Sequence, residues 1–219
     1  MRENLIYFSK CFLAMMMVRL ASSILLAIGS VFKLIDMSIL ASETSLSTKY
    51  GLTFSLILII IIIPIIEELT FRGWIAKEEK MIIISLIVAS FFLAQLSLNV
   101  IFPQLGNRKY LFVAFIVILN SILIFRHDLE IKSFIKKNSS QLINLSIFLF
   151  TIVHGFNYEL TQINLKILLT FLFLLVSYPF SAYILTKIRI KKGLFWSMLL
   201  HISTNSLILI PVFFNNYRP

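Results

Sequence analysis

The chain has 219 residues, 59% of them hydrophobic and 14% charged, with a formal net charge of +10. Soluble domains carry about a quarter charged residues, so a water-soluble globular protein is excluded and an integral membrane protein is expected. The lone cysteine, Cys11, excludes an internal disulfide framework and a zinc–thiolate motif, and reads as a small apolar residue.

A helix needs roughly 20 apolar residues to cross about 30 Å of hydrocarbon. Candidate spans follow in chain order at about 11–32, 52–71, 81–102, 110–126, 142–156, 163–186 and 194–214. The expected fold class is all-α: a polytopic transmembrane helix bundle of about seven spans (range roughly six to eight), forming a single integral membrane domain over 1–219. The first span contains Arg19 and is followed by no small-residue cleavage site, so it reads as an anchor rather than a cleavable signal. Residues 36–51, DMSILASETSLSTKYG, are polar and expected outside. The second span is an unbroken apolar run, Leu56 to Ile66, that meets Glu67, Glu68 and Arg72 at its end. Residues 127–141, HDLEIKSFIKKNSSQ, read as a basic amphipathic linker at the interface, with His127 a solvated loop residue. The stretches 157–164 and 186–193 read as short connections, with Tyr158 and Trp196 as interfacial anchors.

Loops assigned alternately to two sides distribute the basic residues unevenly. One side collects Arg2, Lys10, Arg72, Lys77, Lys80, Arg126, Lys132, Lys136, Lys137, Lys187, Arg189, Lys191 and Lys192. The other collects only Lys33, Lys49, Arg108, Lys109, Lys166 and Arg218. The positive-inside rule then puts the N-terminus in the cytoplasm and the C-terminus outside. The basic excess is thereby a topology signal, with membrane lipids as partners and nucleic acid excluded. The small size and Ile/Lys/Asn-rich composition point to a bacterial inner or plasma membrane.

The informative residues are those that ionise inside spans. Charged groups at the centre of a membrane helix cost about 2.5–3.5 kcal/mol each, so they mark function and call for a named partner. Of the acidic residues only Glu67 and Glu68 lie in or at the end of a long apolar segment, and of the histidines His154 and His201 do. At 1.5 Å per residue, Glu67, His154 and His201 lie roughly 15–20, 20 and 12 Å from the cytoplasmic ends of their spans, near one level. Glu68 and Arg72 are i,i+4 with the acid first, which suits a helix ion pair and leaves Glu67 turned about 100° away. His201 and Asn205 share one helical stripe, and so do Phe150 and His154.

Taken in order, Glu67-Glu68-x-x-x-Arg72, Phe150-x-x-x-His154 and His201-x-x-x-Asn205 resemble the three motifs of the CAAX-protease and bacteriocin-processing (CPBP, or Abi) intramembrane proteases. The flanks ELTFRG and GLFWSMLLHISTN add to the resemblance, which covers about 64–206. It implies a mostly helical membrane protease acting on a protein or peptide substrate, with Glu67, Glu68, Arg72, His154, His201 and Asn205 as its site residues. Glu67 would be the catalytic carboxylate, His154 its partner in activating water, and His201 and Asn205 the groups that bind the attacked carbonyl. Two forms of the chemistry stand: a water activated by glutamate, or a divalent metal such as zinc held by Glu67, His154 and His201. The chain departs from many relatives in two extra apolar segments between the first and second motifs, at about 81–126, read as an insertion. Within them Gln95 stands where a closer second motif would have its histidine. Two other classes use the same residues: a transporter with Glu67, His154 and His201 as a proton or cation relay, and a non-catalytic immunity or scaffold protein.

Overall fold

The computed structural model describes residues 2–32, 52–75, 79–101, 109–155 and 165–216. The polar segment 36–51 and the connection 157–164, with Tyr158, lie outside the described residues. Every element among the described residues is helical. In chain order these are α1 (Arg2–Val31), α2 (Leu52–Ile57), a π-helical turn (Leu58–Ile62), α3 (Ile63–Arg72) and a 3-10 turn (Gly73–Ile75). There follow α4 (Glu79–Ile101), α5 (Lys109–Arg126), α6 (Asp128–Lys137), α7 (Ser139–Gly155), α8 (Leu165–Lys192) and α9 (Leu194–Asn216). Among the described residues three stretches are long and apolar enough to cross a membrane: Arg2–Val31, Thr53–Ile75 and Lys109–Arg126. Shorter apolar helices run over Met81–Gln95 and Ser139–His154. Exposed Leu111, Phe112, Phe115, Ile118 and Ile122 on α5 suit lipid rather than water.

The chain forms two compact units. The first comprises residues 1–64 and 145–219. Its frame is α1 packed along α8, with α9 against both. Cys11 and Met15 of α1, Leu185 and Ile188 of α8 and Leu200 of α9 form its buried core, flanked by Phe8, Phe12 and Trp196. Cys11 is thus a core residue, as its sequence context suggests. The far side of α9 meets α2 and the π-helical turn. That turn precedes Pro64, whose ring has no N–H and would clash with the carbonyl four residues back. A locally widened helix is one way to relieve such a clash.

The basic stretch 186–192, expected as a connection, is instead the last two turns of α8. Lys and Arg are good helix formers, and cations complement the partial negative charge at a helix C-terminus. Lys187 lies over the Tyr183 ring at 4.5 Å, and Lys191 and Lys192 lie over Tyr7 of α1 at 4.9 and 5.7 Å. These side chains keep their charges at the rim while their stems cover apolar surface. The connection itself shrinks to Gly193, at φ 99°, a conformation that favours glycine. The Ser197 hydroxyl donates to Leu185 O at 3.1 Å, tying α9 to α8 just beyond the joint.

The second unit comprises residues 65–144. Here α4 and α5 pair through Ala94, Leu98 and Val113, and α6 lies against both. The 3-10 turn packs so closely on α4 that a Cβ at Gly73 would stand 1.8 Å from Ser85 Oγ. The linker expected at 127–141 is the separate amphipathic helix α6, with acids in its first turn and lysines in its last, the favourable order for the helix dipole. Lys132 Nζ donates to Asp128 at 2.9 Å, which holds that carboxyl below its ordinary pKa. His127, at the α5–α6 junction, sits 2.6 Å from Glu130 and is half exposed. An open groove of about 740 Å³ between α4, α5 and α6 is mostly aliphatic, with Ser90, Asn120 and His127 among its polar groups. None of the motif residues lines it.

Candidate active site

The first motif belongs to α3 in the second unit. Arg72 Nη1 donates to Glu68 Oε1 at 2.5 Å, and both side chains are fully buried. The i,i+4 spacing places the two groups on one face, and burial makes each need the other, since an unpaired ion in a dry site carries a large desolvation cost. Glu67 is also buried, at 6% exposure. It therefore presents a carboxylate that bulk water does not bathe. Phe71 packs edge-on against Phe92 of α4 at 6.0 Å. Close by in sequence, Thr70 Oγ1 is buried with no hydrogen-bond partner among the described residues, as are Ser85 Oγ and Gln95 Oε1 on α4.

The second and third motifs lie in the first unit. His154 ends α7, and its Nδ1 is 2.8 Å from Phe150 O. A carbonyl only accepts, so Nδ1 carries a proton, and in the neutral imidazole the lone pair falls on Nε2. The spacing Phe150-x-x-x-His154 thus sets a tautomer as well as a face. The imidazole lies against Phe150, with centroids 4.1 Å apart, and against Tyr178 of α8 at 4.5 Å. His201, on α9 and 2% exposed, meets the same Phe150 ring edge-on at 6.1 Å. Two histidines from distant segments therefore converge on one phenylalanine. Between His201 and Asn205, the Thr204 hydroxyl lies 3.0 Å from Leu200 O and 2.9 Å from His201 O, holding the helix side of this stripe. Asn205 Oδ1 accepts a hydrogen bond from Arg19 Nη2 of α1 at 3.1 Å.

Arg19 and Tyr178 were not among the residues expected at the site. Arg19 had a signal, a charge within an apolar span; Tyr178 had only the neighbouring Pro179 inside α8. Their placement depends on which helices pack together, and no local spacing encodes that.

Among the described residues no group of three or more His, Cys, Asp or Glu side chains is placed to hold a metal ion. One unit holds a buried carboxylate next in sequence to a buried ion pair, and the other holds two histidines that meet one phenylalanine ring. A scan against protein-family models and searches of curated proteins and of solved structures find no match to this chain.

Proposed function

We propose that the protein is an intramembrane endopeptidase of the CAAX-protease kind, with about seven spans and a cytoplasmic N-terminus, cleaving a membrane-associated or lipidated protein or peptide. The observation that carries this reading is the convergence of His154 and His201 on Phe150, with His154 Nδ1 held by Phe150 O. It supports His154 as the second-motif residue, because His154 and His201 meet the same Phe150 ring. The buried Glu68–Arg72 hydrogen bond further supports a division of labour in which Glu68 is structural and Glu67 reacts.

In the proposed reaction Glu67 takes a proton from water as the water oxygen bonds to the scissile carbonyl carbon. His154 accepts a hydrogen bond from that water at Nε2 and orients it. The carbonyl electrons move onto oxygen, where His201 and the Asn205 amide donate to the developing negative charge. Collapse of the tetrahedral intermediate breaks the C–N bond, and the proton held by Glu67 passes to the leaving nitrogen.

Glu67→Gln tests the reading. The variant should insert and fold as wild type but lose cleavage of a quenched peptide carrying a prenylated C-terminal cysteine by about 10³-fold or more, the scale of a lost general base with its oriented water. Cleavage that survives the substitution would sink the protease reading. Ion flux in proteoliposomes that vanishes with Glu67→Gln, in place of cleavage, would support a transporter.

A further inference from the structure

Arg19 lies well inside the apolar helix α1, where a guanidinium is expensive unless something binds it. Its Nη2 reaches across to α9 and donates to Asn205 Oδ1 at 3.1 Å, a contact between residues 186 positions apart. Arginine has N–H donors and no acceptor, so the amide atom it can bond is the carbonyl oxygen. An asparagine side chain can otherwise present either end of its amide; a donor-only partner removes that choice. With Oδ1 committed to α1, the two N–H groups on Nδ2 are turned away from Arg19. A cation on the carbonyl also polarises the amide and strengthens those N–H groups as donors.

We infer that Arg19 is a positioning residue: it fixes the flip of Asn205 so that Nδ2 donates to the oxyanion formed during peptide hydrolysis. This rests on the protease reading above. The alternative is that Arg19 and Asn205 are only interhelical glue, which would lower stability without touching the chemical step. The two differ in what happens when Asn205 is already gone.

The experiment uses the full chain in phospholipid vesicles with the prenylated-cysteine peptide as probe, following kcat, KM and melting temperature. Wild type is compared with Arg19→Met, Arg19→Lys, Asn205→Ala and the Arg19→Met/Asn205→Ala double variant, with Glu67→Gln as the chemical control. Losing one oxyanion donor lowers kcat by about 10²–10³-fold. Arg19→Met should reproduce part of that, about 10–100-fold in kcat with KM little changed, and Arg19→Lys should recover most of it. In the Asn205→Ala background Arg19→Met should add almost nothing. An equal loss in both backgrounds, or unchanged kcat with only a lower melting temperature, overturns the positioning role while Glu67→Gln still reports a working protease. If Glu67→Gln cleaves as wild type does, the protease reading falls and the catalytic role of Arg19 falls with it. Melting-temperature coupling between Arg19→Met and Asn205→Ala then reads the bare pair.

Discussion

Arg72 and Glu68 illustrate how a charge is tolerated in an apolar helix. Neither side chain reaches solvent, and one short hydrogen bond joins them. Removing one partner leaves an uncompensated buried charge, which costs about 3–5 kcal/mol. Arg72→Met should therefore unfold at markedly lower denaturant in detergent, and Arg72→Met combined with Glu68→Leu should regain most of the loss. A double variant no more stable than the single one would mean that the guanidinium has a further essential partner. This pair was legible in the sequence because its two members are i,i+4 on one helix and need nothing else to meet. The Arg19–Asn205 bond was not legible: its members come from opposite ends of the chain, and only the packing of α1 on α9 joins them. His154 is intermediate. Its face was readable, whereas the proton position follows from a 2.8 Å contact that spacing alone could not supply.

At the scale of elements, hydrophobic run length located the helices well and their ends poorly. Apolar content ends near residue 186, yet α8 continues to Lys192 because lysine and arginine prolong a helix readily at its C-terminus. The π-helical turn before Pro64 was equally hidden, since a run of isoleucine and leucine gives no sign of widening. The α8–α9 joint follows the usual logic of a glycine stop. At φ 99° a β-carbon is strained by about 1–2 kcal/mol, and no neighbour lies within 4 Å to add a clash. Gly193→Ala should cost about that much in chemical unfolding, and Gly193→Asn less, because asparagine visits this region more easily. A cost several times larger would point to contacts at the joint beyond backbone strain.

For the whole molecule, composition determined the class while leaving the grouping of helices unread. An all-helical fold with helices apolar enough to cross a membrane was expected from the composition and run lengths. The division into residues 65–144 and the remainder had no compositional mark, because both units draw on the same Phe, Ile and Leu. The proposed orientation rests on the basic residues crowding one set of connections. A single cysteine introduced on α6, in a Cys11→Ser background, should be labelled by a membrane-impermeant maleimide only after the cytoplasmic face is opened. Labelling from the outside of intact cells would reverse the topology.

The one-residue joint at Gly193 limits how α8 and α9 can move against each other. With Ser197 bonded to Leu185 O immediately past the turn, α8 and α9 have no slack to slide along each other. The short joint and this bond hold the register of the two helices. Tyr178 and His201 ride on those two helices, so the joint also sets the depth of the His201 imidazole relative to the Tyr178 ring.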